Sequence, residues 1–249
     1  MEKINLITYN SPKSPITEAY RTLRTNIQFS SFDEKVKVIV ITSTGPGEGK
    51  STTSSNLAVT MAQGGNKTLL IDCDLRKSML HRKFNLSNEI GLTNLLVDEL
   101  NLDRVIQNTR VENLSILTAG TKPPNPAELL GSEKMSSFVQ EMKKIYDYII
   151  IDTPPVIMVT DAQILSQYAD GVLLVVASGE AEKDAVLRSK ELLQKVDAKI
   201  LGVVLNKIDA SSKGRYNYYY QYYYGNDVKN IDDKRKNKLL SIFTNKRSK

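Results

Sequence analysis

The sequence predicts an α/β protein with a doubly wound, mostly parallel sheet, and two observations lead to this prediction. Short apolar runs bounded by turn or polar residues are typical of buried parallel strands, and they recur at 36–42, 68–71, 114–117, 148–151, 172–176 and 200–205. Segments of helical character lie between them, at 51–63, 133–145, 161–168 and 182–196. Strands that alternate with helices in this way predict helices on both faces of one sheet.

A further helix is predicted before the first strand. Ser14 is the expected N-cap, and Pro15 is the expected first helical residue, a position that proline favours. An apolar stripe follows at helical spacing, formed by Ile16, Tyr20, Leu23 and Ile27. We expect this stripe to pack against the rest of the protein.

The helix predicted at 161–168 carries its own start signal. Thr160 and Gln163 have the spacing of a capping box, in which two side chains bond reciprocally to backbone N–H groups. We therefore expect a well-fixed N-terminus for this helix.

Composition limits the kinds of site that the chain can build. The 249 residues, 41% hydrophobic and 25% charged, suffice for one domain with its own core. The single cysteine, Cys73, and the single histidine, His81, exclude a Cys/His zinc site and favour a reducing compartment. Signal-peptide features are lacking, and no apolar stretch approaches the roughly 20 residues that span a bilayer. We therefore expect a cytoplasmic protein.

Patterning and charge divide the chain into four segments. We predict an N-terminal segment at 1–35, a core at 36–210, a disordered tyrosine-rich tail at 211–226 and a basic extension at 227–249. Within it, the stretch from Lys229 to Lys249 holds eight Lys/Arg and two Asp, so these residues alone account for the net charge of +6. The preceding residues are formally neutral, and we expect no nucleic-acid partner for the core.

The first strand leads into a glycine-rich loop and then a helix. Backbone N–H groups of such a loop, with the helix N-terminus, surround phosphate oxygens. Lys50 would reach the β- and γ-phosphates, and the Ser51 hydroxyl would bind Mg²⁺. The strict P-loop motif, G-x-x-x-x-G-K-[ST], would place its first glycine at position 44, where this chain has Thr44. The loop still predicts a P-loop NTPase fold, and its expected nucleotide-binding residues are Gly45, Pro46, Gly47, Glu48, Gly49, Lys50, Ser51 and Thr52.

Two further strands end in aspartates. Asp72 and Asp74 follow the strand at 68–71, and Asp152 follows the strand at 148–151. The carboxyl ends of strands form the edge where open α/β sheets bind ligands. Asp152 has the form of a Walker B acid, which holds Mg²⁺. Cys73, between the first two acids, is expected to pack against the other face of the sheet.

Together, the loop Pro46–Ser51, the element Asp72–Arg76 and the run Asp152–Pro155 resemble the bacterial tyrosine kinases of capsule and exopolysaccharide synthesis. The resemblance runs from about Ser14 to Gly225. It implies ATP and Mg²⁺ as cofactors, with Lys50 in the catalytic set. It also implies that Asp72 is the base or orienting group for the attacking tyrosine hydroxyl, while Ser51, Asp74 and Asp152 organise the metal.

Two features outside the core fit the same family. Glu18, Arg21 and Arg24 resemble its E-x-x-R-x-x-R oligomerisation motif, which implies a homo-oligomeric ring. The second feature is a cluster that holds seven of the twelve tyrosines: Tyr216, Tyr218, Tyr219, Tyr220, Tyr222, Tyr223 and Tyr224. Core packing buries alternate residues of a strand or every third or fourth of a helix, so it does not explain this cluster. The resemblance implies autophosphorylation there.

The resemblance also implies partners. They are a transmembrane adaptor that docks onto the kinase and activates it, a cognate phosphotyrosine phosphatase, and protein substrates with tyrosines. The adaptor would recruit the kinase to the inner face of the cell membrane. Alone, the chain is expected to show little activity.

Two other P-loop classes are alternatives. A partitioning or division-site ATPase would carry a lysine early in the loop, where this chain has Gly45. A GTPase would use the N-K-x-D form of Asn206 to Asp209, but it would also need D-x-x-G, and Asp152 is followed by Thr-Pro-Pro. Proline has no N–H to offer a γ-phosphate. We therefore expect Asn206 to lie near an adenine.

The basic extension at 227–249 allows several interpretations. Apolar residues from Leu239 to Phe243 interrupt its charges, which makes a membrane surface a better partner than nucleic acid. A solvated basic tail is the favoured interpretation, and the family resemblance does not extend to it.

Overall fold

The computed structural model describes residues 4–30, 35–98 and 100–208. The tyrosine cluster and the basic extension lie outside the described residues. The strands are β1 Val38–Ser43, β2 Thr68–Asp72, β3 Ile106–Asn108, β4 Leu114–Leu117, β5 Tyr148–Asp152, β6 Gly171–Ala177 and β7 Ile200–Asn206. The helices are α1 Ile7–Asn10, α2 Pro15–Gln28, α3 Lys50–Gln63, α4 Leu80–Phe84, α5 Leu92–Asp98, α6 Leu102–Val105, α7 Pro126–Leu130, α8 Glu133–Ile145, α9 Asp161–Ser166 and α10 Lys183–Gln194.

The strands form one sheet in the order β3-β4-β2-β5-β1-β6-β7. All neighbouring pairs are parallel except β3 and β4. The six strands predicted from apolar runs are present, which confirms the mostly parallel α/β fold. The antiparallel strand β3 was not predicted, because its two half-exposed residues and one exposed residue form no apolar run.

Successive residues of the central strands pack on opposite faces of the sheet. Val38 and Val40 lie in a cluster with residues of α5, α8 and α9, whereas Ile39 and Ile41 lie in a second cluster with Leu57 of α3. This alternation follows from the two-residue period of a strand. Apolar cover on both faces explains why β1 is fully buried.

The N-terminal helix α2 begins as the sequence predicts. Pro15 is its first residue, and the Ser14 side chain accepts a hydrogen bond from the Thr17 N–H. The predicted apolar stripe is only partly correct, since Ile27 is buried but Ile16 is 52% exposed. The small Thr17 is buried instead.

The predicted capping box of α9 is wrong. Thr160 is the N-cap, but it has helical dihedral angles and its side chain makes no capping hydrogen bond. Gln163 Nε2 instead donates to the Leu192 carbonyl, so it ties α9 to α10. The contact between two helices replaces the local motif.

Candidate active site

The glycine-rich loop between β1 and α3 requires glycine at two positions. Gly47 has φ +78° and Gly49 has φ +98°, values in the left-handed region that L side chains rarely adopt. A Cβ at Gly49 would also clash with the side-chain amide nitrogen of Asn206. The loop therefore turns tightly into Lys50, the first residue of α3.

Glu48 braces the start of this loop. Its carboxylate accepts hydrogen bonds from the Thr44 N–H at 3.2 Å and the Gly45 N–H at 3.1 Å. Burial raises the pKa of Glu48, although these two hydrogen bonds oppose the shift. Thr44 does not have a positive φ, so no glycine is needed where the strict motif has one.

Asn206, at the end of β7, lies against the loop. Its Nδ2 donates to the Glu48 carbonyl at 2.8 Å. Lys207, the second residue of the N-K-x-D sequence, forms an ion pair with Glu180 at 2.6 Å. In this structure Asn206 therefore supports the loop, and its predicted proximity to an adenine stays a prediction.

The aspartates of β2 and β5 lie side by side. The two strands are parallel neighbours, and their register pairs Asp72 with Asp152. Strand β5 also pairs with β1, where Asp152 stands opposite Ile41, three residues before the loop begins at Thr44. The sheet order therefore brings both strand-end acids next to the phosphate loop.

Lys50 neutralises this acidic cluster. Its Nζ lies 2.8 Å from Asp74 Oδ2 and 3.2 Å from the Ser51 hydroxyl. Burial of the side chain lowers the pKa of Lys50, but Asp152 and Asp74 raise it by more, and the net shift is upward. The ammonium therefore stays charged, within reach of the acids and of the loop.

Asp72 is fully buried and organises the segment that follows β2. Its Oδ1 accepts from the Asp74 N–H at 3.2 Å, and its Oδ2 accepts from the N–H groups of Met79 and Leu80 at 3.1 and 3.0 Å. Loss of solvent, followed by repulsion from Asp152, raises the pKa of Asp72 to about 7. A carboxyl group with this pKa can exchange a proton near neutrality.

Asp152 presents a carboxylate oxygen without a protein partner. Its Oδ1 accepts from the Ser54 hydroxyl at 2.9 Å. Its Oδ2 is buried, and no group of the described ranges hydrogen-bonds to it. Burial raises the pKa of Asp152, and Lys50 and the nearby hydroxyls of Ser51 and Ser54 partly oppose this shift. Such an orphaned oxygen fits a site that receives a cation or a cation-bound water.

The described residues form no group of three or more His, Cys, Asp or Glu side chains arranged to hold a metal ion by themselves. Mg²⁺ usually keeps several waters and binds through one or two carboxylates together with substrate phosphates. The donors near the loop, the Ser51 hydroxyl and the carboxylates of Asp74 and Asp152, are of the hard-oxygen type that Mg²⁺ requires.

Arg76 connects the segment after β2 to helix α9. Its Nε and Nη2 donate to the two carboxylate oxygens of Asp161 at 3.2 and 3.0 Å. Asp161 is fully buried, so this bidentate pair satisfies a charge that would otherwise be costly. Cys73, as predicted, packs in the apolar cluster and takes no part in the site.

The N-terminal segment is bound to the helix that follows the phosphate loop. Asn56 of α3 accepts hydrogen bonds from both the N–H and the hydroxyl of Thr8. Arg24, the last residue of the predicted oligomerisation motif, donates to the Thr60 carbonyl at 2.7 Å. Glu18 and Arg21 form a half-exposed ion pair at 3.0 Å. Two of the three motif residues thus keep charged groups at the surface.

Sequence reasoning missed two contributors to the site, Ser54 and Lys83. It included Glu48 in the loop but did not predict that the Glu48 carboxylate braces it. Ser54 stands one helical turn after Lys50, so its orientation toward the loop could have been deduced from helical periodicity. The contact of Lys83 depends on the position of α4, for which the sequence carries no local signal.

Comparison with known proteins identifies the kind of site. A family model described as an AAA domain matches residues 36–201. The tyrosine-protein kinase YwqD of Bacillus subtilis is 47% identical over 215 residues, which cover 86% of this chain and 91% of YwqD. The chain is a bacterial tyrosine kinase. The putative tyrosine-protein kinase CapB of Staphylococcus aureus is 44% identical over 86% of this chain and 94% of CapB. The alternatives of a switch ATPase and a GTPase are therefore set aside.

Solved structures support the assignment of this tyrosine kinase. The chimerical protein CapA2B2 has a TM-score of 0.80 and 46% identity, over 84% of this chain and 92% of that one. The septum site-determining protein MinD of Pyrococcus horikoshii, complexed with Mg-ADP, has a TM-score of 0.61 and 26% identity, over 71% and 72%. The kinase therefore shares its ATP-binding P-loop fold with the division-site ATPases. In the ranges that the structure describes, no helix of the kinase is long and apolar enough to cross a membrane.

Proposed function

We propose that this tyrosine kinase transfers the γ-phosphate of ATP to tyrosines of its own cluster between Tyr216 and Tyr224, and to tyrosines of other proteins. One observation carries the proposal: the lysine of the phosphate loop and the acids of two neighbouring strands converge on one largely buried site. Phosphoryl transfer needs little beyond such positioning and charge neutralisation. The site fits that chemistry.

The loop from Gly45 to Thr52 would hold the phosphates, with Asn206 supporting it. When ATP binds, the ammonium of Lys50 would break its contact with Asp74 and bind the β- and γ-phosphates. One anionic partner of Lys50 would thus replace another. Ser51, Asp74 and Asp152 would then hold Mg²⁺, and the unpartnered Oδ2 of Asp152 is the observation that favours this. When bound, Mg²⁺ supplies positive charge that offsets the charge of the phosphate oxygens.

In the transfer step, the tyrosine oxygen forms a bond to the γ-phosphorus while the bond to the bridging β–γ oxygen breaks, and ADP leaves. The phenol loses its proton in the same reaction. Asp72 would accept that proton or orient the hydroxyl. Its pKa of about 7 suits a base near neutral pH.

The base role predicts a pH dependence. Asp72 is protonated below its pKa of about 7, so the transfer rate should fall about tenfold for each pH unit well below that value. Initial rates of phosphotyrosine formation between pH 5.5 and 8.5 would show one ascending limb. A flat profile across this range would contradict the base role and leave Asp72 as an orienting group.

The raised pKa of Asp72 also predicts how the free energy of unfolding depends on pH. This dependence tests the pKa independently of phosphoryl transfer. The pKa of Asp72 is higher in the folded protein than in the unfolded chain, so the folded state holds an extra proton between about pH 4 and pH 7. The free energy of unfolding should therefore decrease as the pH rises through this window. Asp72→Asn should reduce that dependence. An unchanged dependence would assign it to other groups.

Phosphorylation of the cluster would act through charge. Each phosphate adds about −1.5 to −2 charges, so seven would add on the order of −10 to −14. This would exceed the +6 of residues 229–249. We propose that the N-terminal segment 1–35, through Glu18, Arg21 and Arg24, joins copies of the core 36–210 into a ring. Phosphorylation of the tail at 211–226 would then separate the subunits.

A variant with all seven cluster tyrosines replaced by phenylalanine tests the acceptor assignment. It keeps the described site intact, so it should still phosphorylate an inactive Lys50→Met protein added as substrate while its own phosphotyrosine is lost. In the converse mixture, wild-type kinase is combined with a Lys50→Met protein that also lacks the seven tyrosines. Phosphotyrosine should then form only on the wild-type protein. Full labelling of the phenylalanine variant itself would overturn the assignment.

We further propose a membrane adaptor as the activating partner, supported by the existence of CapA2B2 as a single chimerical protein. The adaptor would bring the kinase to the inner face of the membrane, and a phosphotyrosine phosphatase would reset it in capsule or exopolysaccharide synthesis. A cytoplasmic peptide of the adaptor should increase autophosphorylation. Equal rates with and without the peptide would contradict this partnership.

A further inference from the structure

Lys83 extends from α4 to the helix that follows the phosphate loop. Its Nζ lies 2.9 Å from the hydroxyl oxygen of Thr52, the third residue of α3. The carboxylate of Asp72 holds α4 in position, because it accepts a hydrogen bond from the N–H of Leu80, the first residue of α4. The segment after β2 thus delivers a cation to the start of α3.

The ammonium of Lys83 has unused hydrogen-bonding capacity. Lysine carries three N–H donors, and the Thr52 hydroxyl accepts one of them. Across the described ranges, no carboxylate forms an ion pair with Lys83. Other exposed lysines at this protein's surface can meet water freely, but Lys83 is half-buried at a loop that itself attracts anions.

Lys83 also lies in the same electrostatic field as the catalytic cluster. Burial lowers its pKa, the carboxylate of Asp152 raises it, and the ammonium of Lys50 lowers it again. Two cations and the strand-end acids are therefore close enough to influence one another. A polyanion that binds between the two lysines would relieve their repulsion.

We propose that Lys83 is a second cation for the phosphate chain of the nucleotide, acting on the side of Thr52 while Lys50 serves the loop. This inference rests on the proposed function, since it assigns a ligand group within the same site. The ligand class is a nucleoside di- or triphosphate. Lys83 is a binding residue here, because it would touch the substrate directly.

The test is the dissociation constant of ADP for the full-length protein, measured with Mg²⁺ by calorimetry. A hydrogen bond to a charged group contributes enough that Lys83→Met should weaken ADP binding roughly 10- to 100-fold. Lys83→Arg, which keeps the charge, should restore much of the affinity. Arg82→Met removes a neighbouring exposed charge on the same helix and should leave the affinity unchanged. Equal affinities of wild type and a folded Lys83→Met would overturn the proposal.

A merely structural role for Lys83 predicts a different pattern. Loss of its bond to Thr52 would lower the free energy of unfolding of Lys83→Met, but it would not reduce the salt dependence of ADP binding. Our proposal predicts a shallower salt dependence in Lys83→Met, because one ionic contact is lost. If Lys83→Met fails to fold, Lys83→Gln gives the same comparison.

These binding measurements do not depend on phosphoryl transfer. A wild type that binds ADP through Lys83 but forms no phosphotyrosine would contradict the proposed function and leave this inference intact. Phosphotyrosine formation by the wild type, together with unchanged ADP affinity in Lys83→Met and Lys83→Gln, would support the proposed function and contradict the inference about Lys83.

Discussion

Replacing Lys50 with methionine is expected to lower the rate of phosphotyrosine formation by roughly 100- to 1,000-fold, the effect of removing one preorganised charge from a transition state. The reason is that Lys50 is the ammonium held at the junction of the phosphate loop and the strand-end acids. Methionine keeps the length of the side chain but not its charge. Quantitative mass spectrometry of initial rates at saturating ATP would measure the loss.

The same substitution should also destabilise the protein without nucleotide. Asp74 would lose its partner while Asp72 and Asp152 stay buried beside it. Removing one member of a buried pair costs roughly 3 kcal/mol, so the free energy of unfolding at pH 8 should decrease by about that amount. The deficit should shrink at pH 5, since protonated carboxyls no longer repel one another.

The double variant Lys50→Met, Asp74→Asn is the matched control. It removes both charges of the pair and should recover much of the lost stability, whereas phosphotransfer should stay as slow as in Lys50→Met. Full stability in Lys50→Met alone would contradict the role of Lys50 as the counter-charge of the cluster. Wild-type rates in either variant would contradict its role in transfer.

Replacing Asp152 with asparagine should separate nucleotide binding from metal binding. Asparagine can still accept the Ser54 hydrogen bond, but it withdraws the charge behind the unpartnered oxygen. We expect phosphotransfer to fall roughly 100- to 1,000-fold, and Mg²⁺ to lose most of its effect on ADP affinity. Affinity for ADP without Mg²⁺ should not decrease, because one negative charge has been removed near the phosphates.

Stability provides a second readout for this variant. Burial raises the pKa of Asp152, which means that the folded protein disfavours its ionised form. Asp152→Asn should therefore raise the free energy of unfolding. Ser54→Ala is the control, since it removes a contact to Asp152 but keeps the carboxylate, and it should retain the dependence on Mg²⁺. An Asp152→Asn protein whose ADP affinity still responds fully to Mg²⁺ would contradict this assignment.

The sheet could be predicted because strands such as β1, β5 and β6 are buried on both faces and are therefore continuous apolar runs. The approach of Asp72 to Asp152 also followed, since the carboxyl ends of parallel strands meet at one edge of a sheet. Strand β3 escaped prediction because a short edge strand with exposed side chains leaves no pattern.

Features that depend on contact between distant segments could not be predicted. Gln163 has the spacing of a capping box, yet it bonds to α10 instead. The sequence pattern predicts a surface charge at Arg24, yet the guanidinium of Arg24 donates a hydrogen bond to the carbonyl of Thr60. Lys83 reaches Thr52 only because Asp72 fixes the start of α4. In each case the tertiary partner, and not the local sequence, decides where the side chain lies.

The measurement that tests the account most directly is intact-mass and peptide mass spectrometry of the full-length protein after incubation with Mg²⁺ and ATP. Parallel samples would contain GTP in place of ATP, the Lys50→Met variant in place of the wild type, and an adaptor peptide. We predict several phosphates on the tyrosines between Tyr216 and Tyr224 with ATP, and none in Lys50→Met. Hydrolysis of the nucleotide without any phosphotyrosine, in the presence of the adaptor peptide, would contradict the proposed autophosphorylating kinase.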